Sequence, residues 1–345
     1  MKAYFHRVMS LTPTQYWINN PTRAEADLAL ENGALGCTNN PSYPQKMIDH
    51  PAEGAYALAL LDEAIAETQD ETQAEILFQQ KIAKPIADKF MPLFEETGGE
   101  HGYVSIQGDP IHEEEADSII TEAINNRRVS PNIACKIPTT GPGLKAMEYL
   151  FAENVPVNAT EIMSVQQAED VFELYCRVTA NTGKYPKLYM SHIAGIYDDY
   201  IQKKVAADGV EISPDILWQA GLAVARKIYA LMQERKYPGT FIAGGARGLH
   251  HFTEMVGGNV VVTINWVGTS DQLLEQDPPV VERMFNPVPD YVIKELLEKL
   301  PDFRRAYLPG SLSIDEYEGF GPVVHFRNSF VKSWLKVLEL AKERR

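Results

Sequence analysis

The sequence predicts an α/β protein, a (β/α)8 TIM barrel with additional C-terminal helices. Three observations lead there. Short apolar or β-branched runs alternate with amphipathic helical stretches, the signature of a parallel sheet. About eight such pairs follow one another over roughly 250 residues, the size of one closed barrel. No fixed-period repeat and no low-complexity linker interrupts them.

In chain order, the first strand is expected at 15–19, with a helix opening at Pro21 and Thr22 and running to about 31. The second strand, 34–38, ends in a turn rich in Asn and Pro at 39–42. A long helical block over 54–94 should break near 68–72 and again at Pro85, because proline removes a helical hydrogen bond. Strands at 103–107 and 133–137 follow, the second leading through a Gly/Pro turn into a helix at 144–153. A fifth strand at 155–160 carries a helix at 165–178, and a sixth lies at 188–192. A polar insertion around 198–208 separates that strand from a long helix at 213–235. The last two strands are expected at 241–244 and 259–264. Residues 1–286 therefore form the barrel, and 287–345 a helical extension packed on it. In that extension Trp334 and Leu335 lie on an amphipathic stretch that either caps the barrel or serves a homodimer.

Composition narrows the function. Lysine and arginine number 32 against 47 acidic residues, a net charge of −15. Such a balance argues against nucleic acid and against an anionic membrane surface as partners. Cys37, Cys135 and Cys176 are few, odd in number and unclustered, which fits a reducing compartment. The N-terminus lacks a secretory-type apolar stretch, and no segment has 18 uninterrupted apolar residues. A soluble, cytoplasmic protein is expected.

In such barrels chemistry sits at the C-terminal ends of the strands. Those ends carry Asn19, Asn39 and Asn40, Gln107, Lys136, Asn158 with Thr160, Ser191 with His192, and Arg247. Lys136 interrupts the apolar run 132–138, where lysine is poorly tolerated. Desolvation lowers the pKa of such an amine, and a drop of roughly 3 units raises its neutral fraction about a thousandfold. A desolvated lysine can form a Schiff base with a carbonyl substrate. Equally, a strand-end lysine can bury its stem and snorkel its ammonium to water. The surrounding amides and hydroxyls suit a polyhydroxylated ligand. Adjacent His250 and His251 do not converge on one ligand position of a helix, and no Cys or carboxylate stands at metal spacing, so no metal and no cofactor is expected.

Five segments together resemble the transaldolase family. They are Asn39 to Ser42, Lys136 to Pro138, Val157 to Thr160 leading to Gln167 and Ala168, Ser191 to Gly195, and Asp198 with Asp199. They occur in family order over residues 16–274. The resemblance implies that Lys136 is the Schiff-base nucleophile toward a ketose and that Thr160 holds a catalytic water. It also implies that Asn40, Asn158 and Ser191 grip substrate hydroxyls. Departures are as informative. The family's first-strand aspartate is matched by Asn19, which cannot accept its proton. The third-strand glutamate is matched by Gln107, a residue also familiar there in the family's small aldolase-like branch, and one phosphate-binding arginine by Ile196. The second phosphate arginine is retained as Arg247, although the serine before it is Gly245.

His192, Tyr197 and Asp109 stand near enough to replace the missing base. Glu161, next to Thr160, should face away from the barrel interior by strict alternation. Three functions follow: a Schiff-base aldolase or transaldolase with altered acid–base and phosphate groups, acting on small-molecule ketose and aldehyde substrates; an orthodox transaldolase of the pentose phosphate pathway, exchanging sedoheptulose 7-phosphate and glyceraldehyde 3-phosphate; or a catalytically silent homologue that only binds.

Overall fold

The computed structural model describes residues 3–345, so Met1 and Lys2, the first two residues of the N-terminal stretch read above for a secretory signal, lie outside the described residues. Eight parallel strands close into a barrel: β1 (Gln15–Asn19), β2 (Gly36–Asn39), β3 (Tyr103–Gln107), β4 (Ile133–Pro138), β5 (Val157–Ile162), β6 (Leu188–His192), β7 (Thr240–Ala243) and β8 (Val260–Ile264). Each strand pairs with its successor, and β8 returns to β1 through Val262 opposite Tyr16. Helices follow the strands round the outside, and residues such as Cys37, Ile106, Cys135 and Ala159 face them in one apolar core.

Inside the barrel a separate apolar cluster forms a floor from Trp17, Tyr103, Ala134, Tyr189, Ile242 and Val261. The floor explains Gly36, since a Cβ there would fall 2.3 Å from the Trp17 ring. Above it the interior turns polar, and that level is the site described below.

Local signals set the strand-to-helix joints. Thr140 accepts from the backbone N–H of Gly143 and starts Gly141–Ala152 directly after β4. The joint is so tight that a Cβ on Gly143 would overlap the Pro138 carbonyl. Ser164 caps Val165–Thr182 in the same way after β5.

Three expectations need correction. Pro85 does not break its helix: Glu71–Glu96 runs through both Pro85 and Pro92. Ile82, Ala83, Ile86, Ala87 and Phe90 keep one face buried across the first of them, and that burial outweighs a lost hydrogen bond. The polar stretch 198–208 is not an insertion but the body of the helix Ala194–Asp208. The helix expected at 213–235 is two, Pro214–Leu217 and Ala220–Arg235. Beyond β8, the helix Gly321–Arg344 packs against Tyr43–Asp49, Gly54–Glu67, Glu71–Glu96 and Ala194–Asp208, and its N-terminal half touches β5. Trp334 is fully buried within this chain, while Leu335 is half exposed. Among the described residues no helix is long and apolar enough to cross a membrane.

Candidate active site

Lys136 stands in register between Gln107 of β3 and Asn158 of β5, so the three side chains share one level of the barrel. Hydrogen bonds tie the neighbours together. Ser191 donates to Asn158 Oδ1 at 2.7 Å, and Asn158 Nδ2 donates to Ser105 at 3.0 Å. Across the barrel Thr38 donates to Asn19 Oδ1 at 2.8 Å, and its hydroxyl also meets that of Thr263 at 2.7 Å. Asn19 Nδ2 donates in turn to Asn265 Oδ1 at 2.8 Å.

Above this level opens a cavity of about 420 Å³ at the barrel mouth, lined by Asn19, Asn40, Lys136, Ser191 and Arg247 among others. It is of a size to enclose a small polar molecule. Two further walls were not apparent from the sequence. Lys46 reaches in from Tyr43–Asp49, held by the Asn20 carbonyl at 2.6 Å and by Glu25 at 3.0 Å. The C-terminal helix supplies Phe326, Ser329 and Phe330. Neither carried a strand-end signal, because both lie on helices.

The Lys136 side chain is buried, and burial pulls its amine down to about 8. Glu161 and Glu113 oppose that shift through space, without a hydrogen bond to the amine. Lys136 therefore neither snorkels to bulk water nor pairs tightly with a carboxylate. On its far side from the mouth lies a second recess of about 20 Å³, bounded by Gln107, Asp109, Glu113 and Glu122.

Glu161 departs from the alternation expected of it. Its φ is 60°, a left-handed conformation, and the register of β5 against β6 shifts between Ala159 and Ile162. This bulge turns the carboxylate to the Lys136 side, where Gln107 Nε2 donates to it at 2.8 Å. A non-glycine residue in that region costs about 1–2 kcal/mol. Gln167 clamps the bulge by donating to the carbonyls of Thr139 at 2.8 Å and Glu161 at 3.2 Å, and accepts from Met163 N–H at 2.9 Å. Burial pushes Glu161 up to about 7.

The other candidates for the missing base are engaged elsewhere. His192 is fully buried outside the cavity wall, its Nδ1 2.8 Å from the Ile162 carbonyl and its Nε2 3.3 Å from that of Gly221. Burial lowers it to about 4, and the ring ties β6 to the β5 bulge through the Ile162 carbonyl. Tyr197 donates to the Asp302 carbonyl at 3.4 Å, away from the mouth. Asp109 accepts from Ile111 N–H at 2.7 Å and lies 2.6 Å from the exposed His112 ring.

Arg247 lines the cavity with its guanidinium donating to the Gly245 and Ala246 carbonyls at 3.3 Å each, and Ile196 lines the same wall. Thr160 is fully buried, and its hydroxyl has no partner among the described residues.

The fold also brings a carboxylate to the paired histidines, which sequence spacing had not suggested. Donor atoms of Asp198, His250 and His251 lie within 4.8 Å of one another. The Asp198 carboxylate is already engaged by Gly221 N–H at 2.7 Å and His251 Nε2 at 3.0 Å, and His251 Nδ1 accepts from Arg247 N–H at 3.4 Å. That network fastens the β7 loop to Ala194–Asp208.

The site is thus a buried lysine on β4 under amides and hydroxyls at the mouth of a closed eight-stranded parallel barrel. A family model described as Transaldolase/Fructose-6-phosphate aldolase matches residues 16–295, and the chain belongs to that family. It is similar to the transaldolase of Thiobacillus denitrificans, 26% identical over 325 residues, with 88% of each chain covered. The transaldolase of Mycobacterium tuberculosis (strain H37Rv) is 30% identical over 216 residues, covering 60% of this chain and 57% of that one. Among solved structures, a 2,3-dimethylmalate lyase of the PEP mutase/isocitrate lyase superfamily aligns over 85% of this chain and 94% of its own, at 9% identity and a TM-score of 0.32.

Proposed function

We propose that this chain is a Schiff-base aldolase or transaldolase that cleaves or transfers a dihydroxyacetone-type three-carbon unit of a ketose. The observation that carries the reading is the amine of Lys136, buried beneath the mouth cavity and lowered by that burial to about 8. At pH 7 about a tenth of such an amine is neutral, against about 0.04% for an unperturbed lysine.

The neutral amine attacks the ketone carbon, and loss of water gives an iminium. The carbon–carbon bond two atoms away then breaks as the hydroxyl on the departing carbon gives its proton to a water in the cavity, and the bond's electron pair moves to the iminium. An aldehyde leaves, and the lysine-bound enamine adds to another aldehyde or is protonated and hydrolysed. Asn40 and Ser191 in the cavity wall, with Asn158 behind Ser191, would hold the hydroxyls of the bound unit.

The distal end of the substrate meets Arg247 alone of the two arginines the family resemblance implies, with Ile196 beside it. Losing one charged partner weakens phosphate recognition by a few kcal/mol. An uncharged or differently charged distal end therefore fits this wall better than the usual sugar phosphate, and a soluble enzyme of the cytoplasm is the setting that suits such chemistry. Turnover assays with free ketoses and with sugar phosphates test this: preference for the free sugars is expected, and efficient transfer from a sugar phosphate to glyceraldehyde 3-phosphate would restore the orthodox reading.

A further inference from the structure

On β3 stands Gln107, the neutral residue that the resemblance allows in the small aldolase-like branch in place of the transaldolase glutamate, and where strict alternation would send a side chain outward there is a carboxylate turned in. The two sites touch, with Gln107 Nε2 donating to Glu161 Oε1 at 2.8 Å. Three buried polar atoms at this junction have no partner among the described residues: Glu161 Oε2, Gln107 Oε1 and Thr160 Oγ1. Leaving such atoms without a partner is costly, so a water or a polar group that reaches them is stabilised there. The backbone pays as well, through the left-handed φ of 60° at Glu161 and the bulge around it. Strain of this kind concentrates at functional sites.

We infer that Glu161, on the bulge of β5, is the proton donor and acceptor of this enzyme's imine chemistry. The inference rests on the Schiff-base reading above. In the step concerned, Lys136 Nζ has bonded to the ketone carbon and its proton has passed to the former carbonyl oxygen, giving a neutral carbinolamine. The C–O bond breaks as the nitrogen lone pair forms C=N, and the hydroxyl leaves as water with the proton held by Glu161. An iminium and a glutamate carboxylate remain, so charge balances. Hydrolysis runs the step backward and returns the proton to Glu161. The transfer passes directly or through one water.

The charged groups facing Glu161 come from three other elements. Lys136 stands on β4, Glu113 on the segment after β3, and Arg327 on the C-terminal helix, with Gln107 of β3 as the hydrogen-bond donor. Glu113 is buried too, with Oε1 unpartnered, and repulsion between the two carboxylates favours a proton on one of them near neutrality.

The test is the rate at which cyanoborohydride traps dihydroxyacetone on the full-length protein, read by intact mass, for wild type, Glu161→Gln, and the double exchange Gln107→Glu with Glu161→Leu. Glu161→Gln is expected to slow trapping about 100-fold or more and to remove the fall in rate above pH 8, leaving a single rise to a plateau. The double exchange is expected to recover at least a tenth of the wild-type rate. A Glu161→Gln variant that traps at the wild-type rate with an unchanged pH profile overturns this assignment alone. No adduct on the wild type overturns the Schiff-base reading and this assignment with it.

Discussion

Gln107 and Glu161 meet through a 2.8 Å hydrogen bond, and Lys136 lies in register beside Gln107 on the strand between theirs. An amide on β3 and a carboxylate on β5 thus flank one amine, and the electrostatics of the site follow from that. Burial lowers Lys136 and raises Glu161 until the two are expected to titrate close together, near pH 7 to 8. A proton can then pass between the groups around the amine at little energetic cost.

The first prediction concerns the nucleophile's pH dependence. If the neutral amine of Lys136 attacks, second-order trapping of dihydroxyacetone should rise about tenfold per pH unit below pH 8 and level off above it in the Glu161→Gln variant, where the second titration is absent. Stopped-time trapping from pH 6 to 9.5 measures it. A flat profile would mean that Lys136 does not limit attack.

Stability carries the same signature. An unfolded lysine binds its proton near 10.4, whereas Lys136 in the folded chain does so near 8. Below pH 8 both states are protonated and the folded state bears the full cost of burying the charge. That cost is relieved as pH rises from 8 to about 10.5, where both are neutral. Lys136→Met should therefore be more stable than wild type at pH 7, by up to about 3 kcal/mol, with the difference shrinking toward pH 10. Urea unfolding at pH 7 and pH 10 decides it.

Glu75 makes a parallel case away from the mouth. Both of its carboxylate oxygens are buried without partners among the described residues, and burial, helped by nearby Asp109 and Glu122, pushes it up to about 10. Its folded pKa is raised, so stability is intact below the unfolded value near 4.3 and is lost as pH rises toward 10. Glu75→Gln is expected to raise the melting temperature by several degrees at pH 7 and to leave it unchanged at pH 4.

Asn19→Asp should raise turnover if family-type bond cleavage still operates here. The site accommodates the change: Thr38 already donates to Asn19 Oδ1, and a flipped Asn265 amide can donate where it now accepts. His192→Asn, by contrast, should leave the pH profile of turnover in place, because the ring is held against the Ile162 backbone carbonyl outside the cavity. A shifted acid limb in His192→Asn would return that residue to the chemistry.

Much of this was legible in the sequence, and the failures have physical causes. β1, β3 and β6 fall where short apolar runs placed them, since a buried strand needs little more than that pattern. Strand order then put Lys136, Gln107 and Asn158 on one level, with Ser191 within hydrogen-bond reach of Asn158. Glu161 was misplaced because its bulge carries no glycine or asparagine at the left-handed position, and Gln167 holds it from six residues away. Ala194–Asp208 escaped because Gly195, Ile196, Tyr197 and Asp198 are all buried in its first turns, which hides a helical stripe, while its C-terminal half is polar. The contributions of Lys46, Phe326 and Phe330 depend on how helices fold back over the mouth, which no local pattern encodes.

The most direct measurement is borohydride reduction of the full-length protein with dihydroxyacetone, followed by intact mass and peptide mapping. One three-carbon adduct on Lys136, abolished in Lys136→Met, is the result this account requires. An unmodified protein across a panel of ketoses, or an adduct on any other lysine, would contradict it.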